Sequence, residues 1–192
     1  MLAPSLLVAA YEAGYFPMAM DDGAIRWFSP DPRAVIPLAR FRPSRRLLRT
    51  MRSGRYAVTV NRAFRAVMEA CASGRDEGTW ISPEILESYC ALHARGLAHS
   101  VEAWSGANLA GGLYGVALNG AFFGESMFHR ASDASKVALA SLVERLRERG
   151  FRLLDVQWQT PFMAACGAVE VPRDEYLANL QEALRAEARF DG

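Results

Sequence analysis

Apolar positions along the 192-residue chain recur at helical spacing first, then switch to alternation near residue 99. Leu6, Leu7, Ala10 and Tyr11 form one face of a short helix that Gly14 and Pro17 close. Pro43-Ser44 opens a second helix, with Ser44 as its cap and Leu47, Leu48 and Met51 as its apolar stripe. Phe64, Val67, Met68 and Cys71 mark a third, capped by Asn61. Ser82-Pro83-Glu84 starts a fourth, which runs through Leu86, Tyr89, Cys90 and His93 to Gly96. Residues 34–37 and 56–60 read as strands. The stretch 28–33 holds two prolines and is an extended loop, because proline fixes φ and lacks an amide donor.

From His99 the period is two. Residues 99–104, 109–118 and 121–128 alternate, and Asn119-Gly120 is a hairpin signal because both residues tolerate positive φ. These runs predict a three-strand antiparallel meander. Ser132-Asp133 then caps a helix whose buried stripe is Leu139, Leu142, Val143 and Leu146, and Gly150 stops it. Residues 151–158 are apolar on both faces, as in a central strand covered on two sides. Meander, helix, strand is the order of the GNAT-type acyltransferase fold, so the expected class is α+β, a mixed sheet with flanking helices. That order fixes no substrate.

Three polar residues interrupt these apolar strands: Glu125, Asp155 and Gln157. Polar groups are costly to bury without partners. Asp155 and Gln157 leave the same face of their strand, with Leu154, Val156 and Trp158 on the other. Alternation places Glu125 on the face of Phe123 and Met127. If the strands are neighbours, two carboxylates and an amide converge in an apolar surrounding. The structural alternative is a satisfied network that fixes strand register. The chemical one is a site that orients an amine nucleophile against an ester carbonyl.

Composition excludes several classes. Half the residues are hydrophobic and the net charge is +1, as in a folded domain. No apolar run reaches the roughly 20 residues of a membrane helix, and 2–10 has no basic flank of a secretory signal. Cys71, Cys90 and Cys166 lack metal spacing and read as reduced thiols of a cytoplasmic protein. His93, His99 and His129 have no metal spacing either. Ser126 lies in Gly-Glu-Ser-Met, which lacks the second glycine of a nucleophile elbow. Between Asp31 and Glu69 there are ten arginines and no acid. Arg45, Arg49 and Arg52 recur on one helix face, the footprint of a polyanion partner. The junction 129–134 has no glycine, which counts against an acetyl-coenzyme A donor. A small-molecule acyltransferase and a non-catalytic RNA-binding module stay open as alternatives.

The motifs YEAGYFP (11–17), FSPDPR (28–33), EGTWI (77–81), GGLYGV (111–116), FGESMF (123–128), ASK (134–136) and DVQ (155–157) run in order along nearly the whole chain. In them the chain resembles the leucyl/phenylalanyl-tRNA–protein transferases. The resemblance implies transfer of Leu or Phe from aminoacyl-tRNA to the N-terminal Arg or Lys of a protein, which is thereby marked for N-degron proteolysis. It implies a cytoplasmic monomer with no cofactor and no metal, since the aminoacyl ester is already activated. It also implies a small N-terminal α/β domain over residues 1–60 beside an acyltransferase-like catalytic domain over 61–192.

Carried over by position, Asp155 and Gln157 match the catalytic pair, with Glu125 beside them. Leu113, Phe122 and Met127 would line the pocket for the Leu or Phe side chain, next to Ser126. Trp80 and Tyr89 would flank the aminoacyl-adenosine end. Tyr11, Arg45, Arg49 and Arg52 would meet the tRNA. Three departures stand out: little chain precedes the first helix, Met18 stands where tryptophan is common, and Phe162 where histidine is frequent. The expected chemistry is ester aminolysis. Asp155 orients Gln157, the carbonyl oxygen of Gln157 holds the attacking amine, and Glu125 attracts the cationic N-terminal residue.

Overall fold

Close-packed glycines and strand bulges shape the central strands in the computed structural model, which describes residues 1–73 and 78–191. The meander is β5 (Ala98–Ser105), β6 (Asn108–Leu118) and β7 (Ala121–His129). Helix α5 (Ala134–Glu148) returns the chain to β8 (Leu153–Gln157), which pairs parallel to β7. Gly111 lets the start of α5 lie directly on β6, since a Cβ there would sit 2.7 Å from the Cβ of Ala134. Gly115 faces the Phe123 carbonyl and Phe122 ring so closely that no side chain fits.

The remaining elements are, in chain order, α1 (Pro4–Glu12), β1 (Phe16–Ala19), β2 (Ile25–Phe28), β3 (Arg33–Val35), α2 (Arg45–Arg52), β4 (Ala57–Val60), α3 (Phe64–Ser73) and α4 (Pro83–His93). After β8 come α6 (Pro161–Ala165), β9 (Val169–Val171) and α7 (Arg173–Leu184). Among the described residues, seven strands form one mixed sheet in the order β4-β5-β6-β7-β8-β3-β9, and β1 with β2 makes a separate ribbon. The protein is thus α+β, a mixed sheet with helices on both faces. The first 60 residues are divided: α1 and the ribbon stay outside the sheet, while β3 and β4 pair within it.

Each sheet face carries its own core. One buries Leu113, Phe122, Leu139, Leu142, Leu146 and Leu154 beneath α5, and α2 packs alongside through Leu47. The other buries Tyr11, Tyr89, Tyr114, Phe123 and Tyr176 beneath α1, α3, α4 and α7. Each such aliphatic side chain contributes roughly 1.5–3 kcal/mol on leaving water. Among the described residues no helix is long and apolar enough to cross a membrane.

Local expectations changed where side chains found stronger partners. Ser44 and Ser82 cap α2 and α4 as expected, accepting from the amides of Leu47 and Ile85. Asn61 does not cap α3. It takes φ +59 and accepts from the Ser100 amide, while buried Glu102 accepts from the Ala63 amide instead. Asp133 stands at the start of α5 without a side-chain cap, its carboxylate turned to Arg46 at 3.3 Å. At the hairpin only Asn119 takes positive φ. Gly120 is needed for space, because a Cβ would lie 2.7 Å from the Ala183 carbonyl.

Candidate active site

The cavity lies where β7 and β8 part. Their pairing ends at Phe123 opposite Asp155, and beyond it both strands lose simple alternation. In β7, Tyr114 pairs with Ser126 and Gly115 with Gly124, so Glu125 is an extra residue in a bulge. In β8, Ala34 pairs with Gln157 and Val35 with Asp155, so Val156 is extra. The first bulge corrects the expected face of Met127. Glu125 shares the face of Phe123, but Met127 crosses to the core of Phe122 and Leu113. As a result an acid and a hydrocarbon wall open onto one cavity of about 270 Å³, near the small end for ligand sites.

Glu125 is held from three sides. Its Oε1 accepts from the Tyr11 hydroxyl at 2.7 Å and from Gln157 Nε2 at 3.2 Å, and Oε2 accepts from the Tyr89 hydroxyl at 3.1 Å. The two tyrosine oxygens also meet closely, so their two protons are shared among three contacts. Burial pushes the Glu125 carboxyl up to about 7, although both tyrosine hydrogen bonds favour its charged form. Tyr11 and Tyr89 are raised by burial and then by the Glu125 charge, so they remain hydroxyl donors.

Asp155 is placed differently. It is fully buried behind the cavity and does not border it. Arg33 grips it with Nε on Oδ1 at 3.0 Å and a terminal nitrogen on Oδ2 at 2.7 Å. The Tyr176 hydroxyl donates to Oδ2 at 2.8 Å, and the Gln157 amide donates to Oδ1 at 2.9 Å. The guanidinium of Arg33 lies between the rings of Phe16 and Tyr176 and donates to the Gly14 carbonyl. These partners hold the Asp155 carboxylate in place. Its bond to the amide two residues on is an Asx turn, and it accompanies a φ of +59 at Gln157, unusual for a residue with a Cβ. Gln157 Nε2 is taken by Glu125, which leaves its carbonyl oxygen for a ligand.

Leu113, Met127, Trp80 and Ser126 border the cavity, joined by Leu139, Leu142, Leu154, Val156 and Met163. Phe122, Tyr89 and Tyr11 do not. Phe122 is fully buried on the side of β7 that is still paired with β8, against Phe190. Tyr11 is likewise inaccessible to a tRNA, and with Tyr89 its hydroxyl supports Glu125. Met18 and Phe162 both line the opening. Glu77, the first residue of EGTWI, lies outside the described residues.

Arg45, Arg49 and Arg52 are exposed on α2 and form no salt bridge among the described residues. The arginine run is not one surface, however: Arg33 is buried on Asp155, Arg46 pairs with Asp133 and Arg65 with Glu87. Charge counting could not separate these roles. Tyr176 was missed because it comes from α7, far along the chain. Arg33 was legible only as one more basic residue. Among the described residues no three His, Cys, Asp or Glu side chains group as metal ligands.

A family model described as leucyl/phenylalanyl-tRNA protein transferase matches residues 35–181, and one for the N-terminal domain of that family matches residues 1–31. Among curated relatives, leucyl/phenylalanyl-tRNA–protein transferases of Herpetosiphon aurantiacus and Rubrobacter xylanophilus are each 55% identical, over 98% of this chain and 98% of theirs. That of Rhodopseudomonas palustris strain TIE-1 is 53% identical over 98% of this chain and 86% of its own. Among solved structures, a functionally unknown conserved protein from Staphylococcus epidermidis aligns at TM-score 0.48 and 10% identity, covering 90% of this chain and 65% of that one.

Proposed function

The chain belongs to the leucyl/phenylalanyl-tRNA–protein transferase family, and from that premise we propose how its site acts. It is an aminoacyltransferase that moves Leu or Phe from the 3′ end of aminoacyl-tRNA to the N-terminal amine of a protein. The acceptor begins with Arg or Lys and is thereby marked for N-degron proteolysis. The enzyme works as a cytoplasmic monomer. The observation that carries this reading is Gln157, whose side-chain amide borders the hydrocarbon-walled cavity and donates to Glu125.

In this reading the Leu or Phe side chain fills the cavity against Leu113, Met127, Leu139 and Leu142. The ester carbonyl is thus fixed near Gln157, whose carbonyl oxygen accepts a hydrogen bond from the attacking α-amine. The amine's lone pair adds to the ester carbon, the C–O bond to the ribose breaks, and the proton passes to the leaving oxygen directly or through water. A glutamine amide is too weak a base to keep that proton, so its contribution is positioning. Asp155 and Arg33 fix the backbone from which Gln157 projects. Arg45, Arg49 and Arg52 meet tRNA phosphates, which set register and carry little sequence information.

Glu125 attracts the cationic acceptor when ionised. Because its carboxyl is raised to about 7, kcat/KM for an Arg-initiated peptide should climb as pH passes 7. Glu125→Gln should lose that limb and retain the one from the acceptor amine near pH 8. The stability effect has the opposite direction. Folded Glu125 binds a proton that the unfolded chain has released, so stability falls as pH rises from about 4.5 to 7, by at most about 3 kcal/mol. Denaturant titrations of both proteins across that range would show a flatter profile for Glu125→Gln. Identical pH profiles would remove Glu125 from both roles.

The reading as a whole is tested by incubating labelled Phe-tRNA with peptides beginning Arg, Lys or Glu and following peptide mass. Addition of one Phe to the first two is expected. Absence of product from all three would refute the reading, and equal product from the Glu peptide would refute the acceptor assignment.

A further inference from the structure

We propose that Trp158 is a specificity-determining residue for the acceptor, its indole face receiving the cationic side chain of the acceptor's first residue. This rests on the reading above and adds what recognises that side chain. Strand alternation would turn Trp158 away from Gln157 and into the core of Val156, yet its indole packs on Phe16 and Phe28 of the opposite core, borders the cavity and is 42% exposed. The cause is the left-handed backbone of Gln157, which ends the alternation and swings the next side chain to the mouth. There Phe16 meets the indole nearly perpendicular at 5.0 Å, and Phe28 meets it at 6.1 Å and 64°. The ring is thus held by two aromatic neighbours and still partly exposed.

The chemistry around it favours a cation. Glu125 is the single carboxylate among the described residues that line the cavity, and it already holds two tyrosines and Gln157. Asp155 is enclosed by Arg33. A guanidinium or ammonium group cannot enter the hydrocarbon wall without losing its hydration. An aromatic face attracts it without requiring full desolvation, and tryptophan is the strongest of the rings. The same chain uses this contact internally, with Arg33 over Phe16 and Arg62 over Trp104. Among the described residues none of its own cations covers Trp158. Because Trp158 directly follows Gln157, an amine held by that amide leaves its own side chain close to the indole.

The test compares wild type, Trp158→Phe and Trp158→Leu with peptides beginning Arg, Lys or citrulline, the last a neutral isostere of Arg. With Phe-tRNA as donor, Trp158→Leu should lower kcat/KM for the Arg and Lys peptides roughly 3- to 30-fold. The citrulline peptide should change little, Trp158→Phe should fall between, and KM for Phe-tRNA should stay level. Equal losses on Arg and citrulline, no loss at all, or a raised KM for Phe-tRNA from stacking on a base instead would overturn the proposal. Failure of the broader reading is distinguishable, because wild type would then yield no product from any peptide.

Discussion

Asp155→Asn and Arg33→Met should each lower the unfolding free energy by about 3–5 kcal/mol, measured by denaturant titration at neutral pH. The pair is fully buried and its side chains share two hydrogen bonds. Removing either partner leaves the other's charge or hydrogen-bonding atoms in an interior that cannot solvate them. The double variant should lose less than the sum of the single losses, because the second substitution finds no opposite charge left to strand. Activity should fall with it. The Gln157 backbone N–H loses its acceptor in Asp155→Ala, and with it the turn that accompanies its left-handed backbone. Turnover measured well below the unfolding transition should therefore drop in the folded fraction. An unchanged midpoint for Asp155→Asn would mean that this pair does not anchor the site.

The second large effect concerns the donor. Wild type should use Phe-tRNA about 100-fold better than Tyr-tRNA, in kcat/KM, despite near-identical shape. Leu113, Met127, Leu139, Leu142, Leu154 and Val156 form the hydrocarbon wall, and Tyr114, Glu125, Ser126, Gln157 and Thr160 are the hydroxyl, carboxylate and amide residues of the lining. A phenol driven into that wall loses a water hydrogen bond without a replacement. Competition between the two charged tRNAs at equal concentration gives the ratio directly. Equal use of both would show that the aminoacyl side chain binds elsewhere.

The meander, the long helix and the strand after it were legible because their apolar periods are long and end at Asn119, Gly120 and Gly150. So were the polar residues of the site, since Glu125, Asp155 and Gln157 interrupt otherwise apolar strands. Their arrangement was not. Two bulges and one left-handed residue break the period on which face assignments rest, so Met127 and Trp158 both turn the other way. The pairing of Arg33 with Asp155 spans 122 positions and leaves no local signal. Tyr11 and Tyr89 stood out by position, but only the packing of α1 and α4 against β7 shows that they act on Glu125. The last thirty residues had no assigned role, although α7 supplies Tyr176 to the site.

Single-turnover transfer from Phe-tRNA to an Arg-initiated peptide by Gln157→Ala, checked for native unfolding behaviour, addresses the positioning amide most directly. The rate should fall by about 10²-fold or more while Phe-tRNA binding is retained, since the hydrocarbon wall of the cavity is untouched. A folded Gln157→Ala enzyme that transfers at the wild-type rate would contradict the account.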